Sequence, residues 1–170
     1  DDEIIAKIIK NKSILVTGGA GSIGSELSYQ ISKLNPKKII ILDQSEFNLY
    51  NIKKKLTSPN TKENKIKFVL GNVNKYELID SIIDNYKIDF IIHAAAYKHV
   101  PLLESNITQG LLNNVIGTQV ICECAYRKNV KKVMLISSDK AVRPTNVMGA
   151  SKRISELIVQ AYAKLSKENK

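Results

Sequence analysis

The residues best suited to chemistry lie in SSDKAVRPTNVMGASKR, residues 137–153. Asp139 and Lys140 place a carboxyl group and an amine side by side, directly after a predicted strand. A carboxyl group can donate a proton and a neutral amine can remove one, so the pair suits general acid–base catalysis. Met148 and Lys152 follow, four residues apart on a predicted helix. A thioether cannot accept a proton, so Met148 raises the question of which group moves protons in this segment.

A glycine-rich stretch earlier in the chain has the spacing of a phosphate-binding loop. Residues 17–24 read TGGAGSIG and lie between a predicted strand and a predicted helix. Side chains are excluded where a backbone must approach a pyrophosphate, and the free N–H groups of a helix N-terminus bind the anion. This placement favours a dinucleotide over a glycine turn that binds no nucleotide. The residues predicted to bind the cofactor here are Gly18, Gly21, Ser22, Ile23 and Gly24.

An acid at the end of the second predicted strand indicates which dinucleotide is bound. Asp43 is the last residue of KIIILD, residues 38–43. Its carboxylate can accept hydrogen bonds from the adenosine ribose hydroxyls and would repel a 2′-phosphate. No arginine adjoins it in the sequence. We therefore predict NAD as the cofactor, in preference to NADP.

Short apolar runs alternate with longer helical patterns, and the runs are rich in Ile and Val on both faces, as buried parallel strands are. We predict an α/β fold with a doubly wound parallel sheet (Rossmann, NAD(P)-binding) over residues 13–170, after an N-terminal helical lead-in over residues 1–12. Residues 56–65 are predicted to form a polar surface loop. The predicted strands are 13–17, 38–43, 66–70, 89–95 and 132–138, and the predicted helices are 22–34, 45–56, 75–86, 109–129 and 147–166.

The amino-acid composition narrows the range of binding partners that this chain is expected to have. The formal net charge is +10, but the lysines are scattered and no cluster of basic and aromatic residues forms a stacking platform, so we predict no nucleic-acid partner. A basic surface would still attract an anionic substrate such as a sugar nucleotide. Cys122 and Cys124 point to different faces of a predicted helix, and His93 and His99 lie far from them, so we expect reduced packing thiols and no metal. With no apolar run of about 20 residues and no signal peptide, we expect a cytoplasmic chain.

The glycine spacing resembles the short-chain dehydrogenase/reductase superfamily, especially its extended sugar-nucleotide branch. GNV follows the third strand, where the branch has an Asp-Val pair that reaches the adenine, and HAAA ends the fourth. NNVIGT lies on the next helix, where the family has a similar Asn-rich motif. By this resemblance the further cofactor-binding residues are Asn72, Val73, Ala94, Ala95, Ala96, Asn114 and Lys152.

Four segments together look like bacterial UDP-N-acetylglucosamine 4,6-dehydratases of the CapD/WbpM-like polysaccharide biosynthesis group. They are HAAAYKHVPLLE, NNVIGT, SSDKAVRPTN and MGASKR. The resemblance implies that bound NAD oxidises carbon 4 of the sugar, that water is lost across carbons 5 and 6, and that the hydride returns to carbon 6. It also implies a UDP-sugar substrate and a homo-oligomer. Members often carry membrane helices before the catalytic domain, so the parent protein is a candidate for anchoring by segments outside this chain.

The resemblance implies a role for each residue of the chemical segment. Lys140 is the base at carbon 5 and must be neutral, whereas Asp139 is the acid at carbon 6 and needs a raised pKa. Ser138 bonds the carbon 4 oxygen, and Lys152 holds the nicotinamide ribose. Met148 occupies a position that is tyrosine in many relatives and Met in one subgroup, so the first proton is expected to leave through water or Asp139. The residues predicted to contact substrate are Lys98, His99, Arg143 and Asn146.

Two other readings stay open at this point. An epimerase or reductase of the same fold would need no separate dehydrating acid and base, which the Asp139–Lys140 pair supplies. A non-catalytic NAD-binding sensor would account for the missing tyrosine but not for the retained Lys152. Because a complete enzyme of this kind needs further strands and a substrate-holding part, we expect this chain to be the C-terminally truncated front of a longer protein.

Overall fold

The computed structural model describes residues 2–57 and 65–168 and contains one parallel sheet of five strands. Their order across the sheet is β3-β2-β1-β4-β5, so the direction of winding reverses between β1 and β4. The predicted doubly wound α/β fold is confirmed. The strands are β1 (Ser13–Thr17), β2 (Lys38–Asp43), β3 (Ile66–Leu70), β4 (Phe90–His93) and β5 (Lys132–Leu135).

Eight α-helices lie in the described part of the chain, with a π-helical turn (Leu112–Ile116) between the sixth and seventh and a 3₁₀ turn (Asp139–Ala141) before the eighth. The predicted polar loop over 56–65 falls mostly on residues 58–64, which lie outside the described residues. The helices are α1 (Asp2–Ile9), α2 (Ser22–Ser32), α3 (Glu46–Leu56), α4 (Tyr76–Tyr86), α5 (Val100–Glu104), α6 (Ile107–Leu111), α7 (Gly117–Arg127) and α8 (Val147–Glu168).

Both faces of the central strands are buried, which explains why their sequences do not alternate between apolar and polar residues. Leu15 and Ile40 point to one face, where they pack with residues of α4 and α7. Ile14 and Ile39 point to the other face, where they pack with residues of α2 and α3. Successive apolar residues of a central strand therefore point to opposite faces and belong to two separate hydrophobic cores, one on each side of the sheet.

The first three strands have their predicted bounds, but β4 and β5 are shorter than the predicted 89–95 and 132–138. Their carboxyl ends leave the sheet early. Ala94 donates its N–H to the Thr17 carbonyl at 3.0 Å, and Ile136 donates to the His93 carbonyl at 3.0 Å, after which the ladder stops. Periodicity cannot locate this point, because Ala94 and Ala95 after β4 and Ile136 after β5 continue the apolar run of each strand.

The predicted helix over 109–129 is interrupted in the structure. Gly117 donates its N–H to the carbonyl of Leu112, five residues back, and so widens one turn into a π-helix. A Cβ atom on Gly117 would lie 2.6 Å from Cγ2 of Val73, so the helix approaches the β3–α4 connection closely at this position. Single-turn π-helices often mark functional sites, and this one carries two buried asparagines.

Ile40→Ala in β2 should lower the free energy of unfolding by about 2–5 kcal/mol, because Ile40 is fully buried between two neighbouring strands and the helical layer. The matched control is Met134→Ala in β5, where the side chain is 59% exposed and the change should stay within about 0.5 kcal/mol. Chemical denaturation measures both. Equal losses for the two variants would contradict the assignment of the core to the centre of the sheet.

Candidate functional site

A crevice opens where the carboxyl ends of β1 and β4 diverge, at the point where the strand order reverses. Gly18 follows β1 there with φ +60, and a Cβ atom on it would lie 2.6 Å from Cα of Ala95. A side chain at this position would therefore overlap backbone. The two loops meet without side chains between them, and the floor of the crevice is open to a ligand that must approach the backbone.

The N-terminus of α2 faces this crevice with free backbone donors. Gly21 is the N-cap residue, and no described side chain caps the helix. The first bond of the helix runs from the Ser25 N–H to the Gly21 carbonyl at 2.8 Å. The N–H groups of Ser22, Ile23 and Gly24 precede that bond and have no helical acceptor. Together with the positive end of the helix dipole they form an anion-binding turn.

Asp43 ends β2 at the rim of the crevice and is 9% exposed. Its Oδ2 accepts the Ala20 N–H at 3.1 Å, and its Oδ1 accepts the Ser45 N–H at 3.0 Å. Each oxygen has lone pairs in addition to the one that these bonds use. The carboxylate is therefore fixed in orientation and keeps acceptor capacity towards the cleft that it lines. This geometry suits a pair of ribose hydroxyls.

The crevice continues into a cleft of about 210 Å³ lined by most of the predicted cofactor-binding residues. Asn72 and Val73 lie at its far wall after β3, and Ala94–Ala96 form the near wall after β4. Three features of this site fit NAD: the side-chain-free backbone at Gly18, the uncapped N-terminus of α2 and the oriented carboxylate of Asp43. The predicted residues that line this cleft are Gly18, Gly21, Asp43, Asn72, Val73, Ala94, Ala95 and Ala96.

Sequence reasoning missed part of the lining. Gln44 donates its Nε2–H to the hydroxyl of Tyr97 at 3.0 Å and accepts the Asn72 Nδ2–H at 2.8 Å, so three side chains form a bridge across the strand ends. Gln44 directly follows Asp43 in the sequence, and Tyr97 directly follows Ala96, so position next to a predicted site residue could have indicated both. The lining residues that were not predicted are Leu42, Gln44, Ser45, Asn48, Gly71, Tyr97 and Asn113.

Asn114 does not line this cleft, although Asn113 beside it does. Its side chain is 1% exposed. Oδ1 accepts the Tyr97 N–H at 2.8 Å, while Nδ2 donates to the Tyr97 carbonyl at 3.0 Å and to Oγ of Ser151 at 2.9 Å. Asn114 therefore joins the loop after β4 to helix α8, and its direct contact with a cofactor stays a prediction.

Ser138, Asp139 and Lys140 form a surface turn at the carboxyl end of β5. The Ser138 hydroxyl donates to Oδ1 of Asp139 at 3.0 Å, and Lys140 Nζ lies 3.5 Å from the same oxygen. These two groups hold the pKa of Asp139 below its ordinary value. The side chains of Lys140 and Asp139 are 53% and 87% exposed. The expected raised pKa of Asp139 is therefore wrong for this structure, because the carboxyl group is paired and solvated, not desolvated.

Met148 and Lys152 lie in the first two turns of α8 and are both buried. The Lys152 ammonium donates to the carbonyl of Ile136 at 2.5 Å, two residues before the turn formed by Ser138–Lys140. Burial lowers the pKa of Lys152, and the nearby Glu156 carboxylate partly offsets this. The described geometry brings a desolvated amine and the Asp139–Lys140 pair to the same strand end.

The four predicted substrate-contact residues are all near the strand ends, but they differ in setting. Lys98 and His99 are exposed after β4, and Arg143 is exposed at φ +50, a left-handed conformation that is uncommon outside glycine. Asn146 precedes α8, and its Oδ1 accepts the Gly149 N–H at 2.8 Å, which is an N-cap bond. The Glu104 carboxylate accepts the Val147 N–H at 2.7 Å and anchors the same helix end.

The cysteines are free and buried, and burial raises the pKa of Cys122 to about 12 and that of Cys124 to about 11. Within residues 2–57 and 65–168, no group of three or more His, Cys, Asp or Glu side chains is arranged to hold a metal ion. No helix in the same residues combines the length and the apolar character that crossing a membrane requires.

Gly149→Ala should destabilise the protein by about 1–3 kcal/mol. The added Cβ would lie 2.2 Å from the Lys140 carbonyl oxygen, so the turn formed by Ser138–Lys140 would have to move away from α8. Gly110→Ala is the control, since its Cβ would meet only the movable end of Leu103, at 2.9 Å. Thermal and chemical unfolding report both. A Gly149→Ala protein as stable as the control would show that the turn and the helix are not in tight contact.

The sequence of this chain is similar to those of several known bacterial proteins. The chain is 44% identical over 163 residues to the capsular polysaccharide biosynthesis protein CapD of Staphylococcus aureus, covering 95% of this chain and 27% of that protein. It is 32% identical over 155 residues to a UDP-N-acetylglucosamine 4,6-dehydratase (inverting) of Campylobacter jejuni, covering 91% and 44%. It is also 32% identical over 163 residues to a UDP-glucose 4-epimerase of Rickettsia canadensis, covering 94% and 46%.

Solved structures agree with the fold. DesIV, a dTDP-glucose 4,6-dehydratase of Streptomyces venezuelae solved with NAD and TYD bound, superposes with a TM-score of 0.77 at 27% identity, covering 89% of this chain and 52% of that one. This chain spans between about a quarter and half of the length of these relatives. The model of one protein family, described as polysaccharide biosynthesis protein, matches residues 14–170. The chain therefore belongs to the polysaccharide biosynthesis protein family.

Proposed function

We propose that this chain is the NAD-binding part of a sugar-nucleotide 4,6-dehydratase acting on UDP-N-acetylglucosamine. Its relatives include both dehydratases and epimerases that act on sugar nucleotides. The observation that favours dehydration is the Asp139–Lys140 pair at the carboxyl end of β5, next to the buried Lys152. Dehydration needs one group to remove a proton from carbon and another to protonate a leaving hydroxyl, and this turn supplies both.

The crevice and its rim fit NAD. The floor at Gly18 admits backbone contact only, α2 presents free N–H groups to a pyrophosphate, and Asp43 offers two oriented oxygens to a ribose. A 2′-phosphate would meet the Asp43 carboxylate, which disfavours NADP. When bound, the nicotinamide would accept a hydride from the sugar and later return it. Lys152 is the residue that would hold the nicotinamide ribose from α8.

The ionised state of Asp139 suits the first proton transfer. Because Met148 has no proton to exchange, the hydroxyl at carbon 4 needs another acceptor. The pKa of Asp139 is lowered by Ser138 and Lys140, so the carboxylate is in its basic form in the free protein. Having taken that proton, Asp139 would hold the acid form that the hydroxyl leaving carbon 6 requires. One residue would thus serve as base and then as acid, with the Ser138 hydroxyl bonded to its Oδ1 at 3.0 Å.

Lys140 would remove the proton from carbon 5 once the neighbouring carbon 4 is a ketone. Its ammonium lies 3.5 Å from Asp139 in this structure, and the side chain is about half exposed. Homo-oligomerisation and the absence of a metal requirement stay predictions.

An epimerase is the second candidate, since an enzyme with that activity shares 32% identity with this chain over almost its whole length. The two reactions differ in mass balance. A dehydratase releases one water from UDP-N-acetylglucosamine, whereas an epimerase returns a product of unchanged mass. Mass spectrometry of the product formed by the full-length protein therefore separates them directly.

Asp43→Asn should weaken NAD binding by about tenfold or more, because hydrogen bonds to a charged acceptor are lost and one amide N–H would face the backbone donors that the carboxylate now accepts. Glu46→Gln removes the same charge from an exposed neighbour on α3 and should change the affinity little. Isothermal titration with NAD and with NADP measures both variants. Unchanged NAD affinity in Asp43→Asn would remove Asp43 from the site.

Asp139→Asn and Lys140→Met should each lower the rate of water loss by about 10²–10⁴-fold with NAD content unchanged, because each removes one proton-transfer group. Met148→Tyr should leave the shape of the pH–rate profile as it is, since residue 148 moves no proton in this scheme. Asp84→Asn, an exposed surface carboxylate paired with Lys128, is the control. Normal turnover by Asp139→Asn would refute the acid–base assignment.

A further inference from the structure

His93 is a buried titratable side chain for which the proposed reaction has no use. It ends β4 directly before the near wall of the cleft and is 1% exposed. Its Cα is paired with that of Thr17, the last residue of β1. The strand order reverses between these two strands, so the buried His93 lies at the strand ends beside the crevice. Both ring nitrogens are bonded to threonine hydroxyls.

The hydrogen bonds around His93 determine which nitrogen carries the proton. The Thr118 hydroxyl has a single hydrogen and donates it to the Asn114 carbonyl at 2.6 Å. At 3.0 Å from Nε2 it must therefore accept, which places a hydrogen on Nε2. Nδ1 then carries no hydrogen and accepts the Thr17 hydroxyl at 2.6 Å. Burial, together with the charge of Lys152, lowers the pKa of His93 to about 3, so the ring is neutral.

The bonds beyond Thr118 lead to the helix that carries the chemistry. The Ser155 hydroxyl of α8 lies 2.9 Å from the Asn114 carbonyl oxygen and 2.9 Å from that of Ser151, so the two carbonyls share its one hydrogen. The Asn114 side chain bonds the backbone of Tyr97 on one side and Ser151 on the other. Ser151 precedes Lys152 in α8. A continuous chain of bonds thus runs from the crevice floor to the turn of α8 that holds the buried amine.

We infer that His93, as the neutral tautomer protonated on Nε2, is a positioning residue that sets the register between the crevice floor and helix α8 through Thr118 and Asn114. An apolar side chain would fill the same space but would leave the two threonine hydroxyls without this partner. The catalytic consequence rests on the proposed function, because it needs Lys152 to meet the cofactor bound in the crevice. The structural consequence, a fixed Asn114, does not.

The tautomer is tested by long-range ¹H–¹⁵N NMR of the chain, which contains only two histidines. His99→Gln leaves a single ring and assigns its signals to His93. We expect the pattern of a neutral ring protonated on Nε2, unchanged from about pH 5 to about pH 9 and unchanged by NAD. A ring protonated on Nδ1, or one that takes up a proton within this range, would overturn the inference.

The positioning role is tested by Thr118→Val, which keeps the side-chain shape and removes the acceptor for Nε2. Thr108→Val, on the exposed side of α6, is the matched control. We expect faster hydrogen exchange at the Tyr97 amide, which donates to Asn114, and turnover of the full-length protein lower by about ten- to a hundredfold with NAD affinity within about twofold. Exchange and turnover equal to those of the control would refute the role.

Two substitutions of His93 separate its bonds. His93→Gln places an amide nitrogen near the position of Nε2 and keeps the bond to Thr118, whereas His93→Asn keeps an acceptor near Nδ1 for Thr17. We expect the glutamine variant to retain more turnover and slower Tyr97 exchange than the asparagine variant, and the reverse order would contradict the inference. If the unmodified protein shows no dehydratase activity, the exchange and NMR results still decide the question, because neither depends on the reaction.

Discussion

The backbone contact between Gly18 and Ala95 is the constraint on which the rest of this structure depends. It lies where the winding of the sheet reverses, so the two loops that follow β1 and β4 meet with no side chain between them. Because both faces of the central strands are covered by helices, the carboxyl edge of the sheet is where a ligand can reach the backbone. Asp43 and the free N-terminus of α2 are placed around that opening, so the cleft is a consequence of topology before it is one of side chains.

Two amines near the end of β5 sit in contrasting surroundings. Lys152 is buried on α8 and bonded to a carbonyl of the strand end, and burial lowers its pKa. Lys140 is about half exposed and pairs with Asp139, whose pKa is lowered in turn. The carboxylate beside Lys140 is solvated, whereas Lys152 is desolvated and bonded to a backbone carbonyl. The contrast between the two amines follows from burial and not from sequence position, since both lie within residues 137–153.

Overall sequence identity to relatives does not separate dehydration from epimerisation for this chain. A dehydratase and an epimerase are each 32% identical to the chain over more than nine-tenths of its length. Both activities act on sugar nucleotides, so a shared crevice is expected of them. In the proposed mechanism, the groups that would distinguish the two reactions are Asp139 and Lys140.

From local patterns alone, the amino-acid sequence predicts the parallel sheet, the glycine turn and Asp43 at the end of a strand, because periodicity and spacing report strands, turns and residue type. The same patterns place β1, β2 and β3 correctly and extend β4 and β5 too far, since Ala94, Ala95 and Ile136 continue the apolar runs after the strands have ended. The folded structure was needed to show that Asn114 bonds Tyr97 and Ser151, that Gln44 bridges to Tyr97, and that Asp139 is exposed. Those outcomes depend on which distant side chains surround a group, and burial and hydrogen bonding across the sheet are not encoded in local spacing.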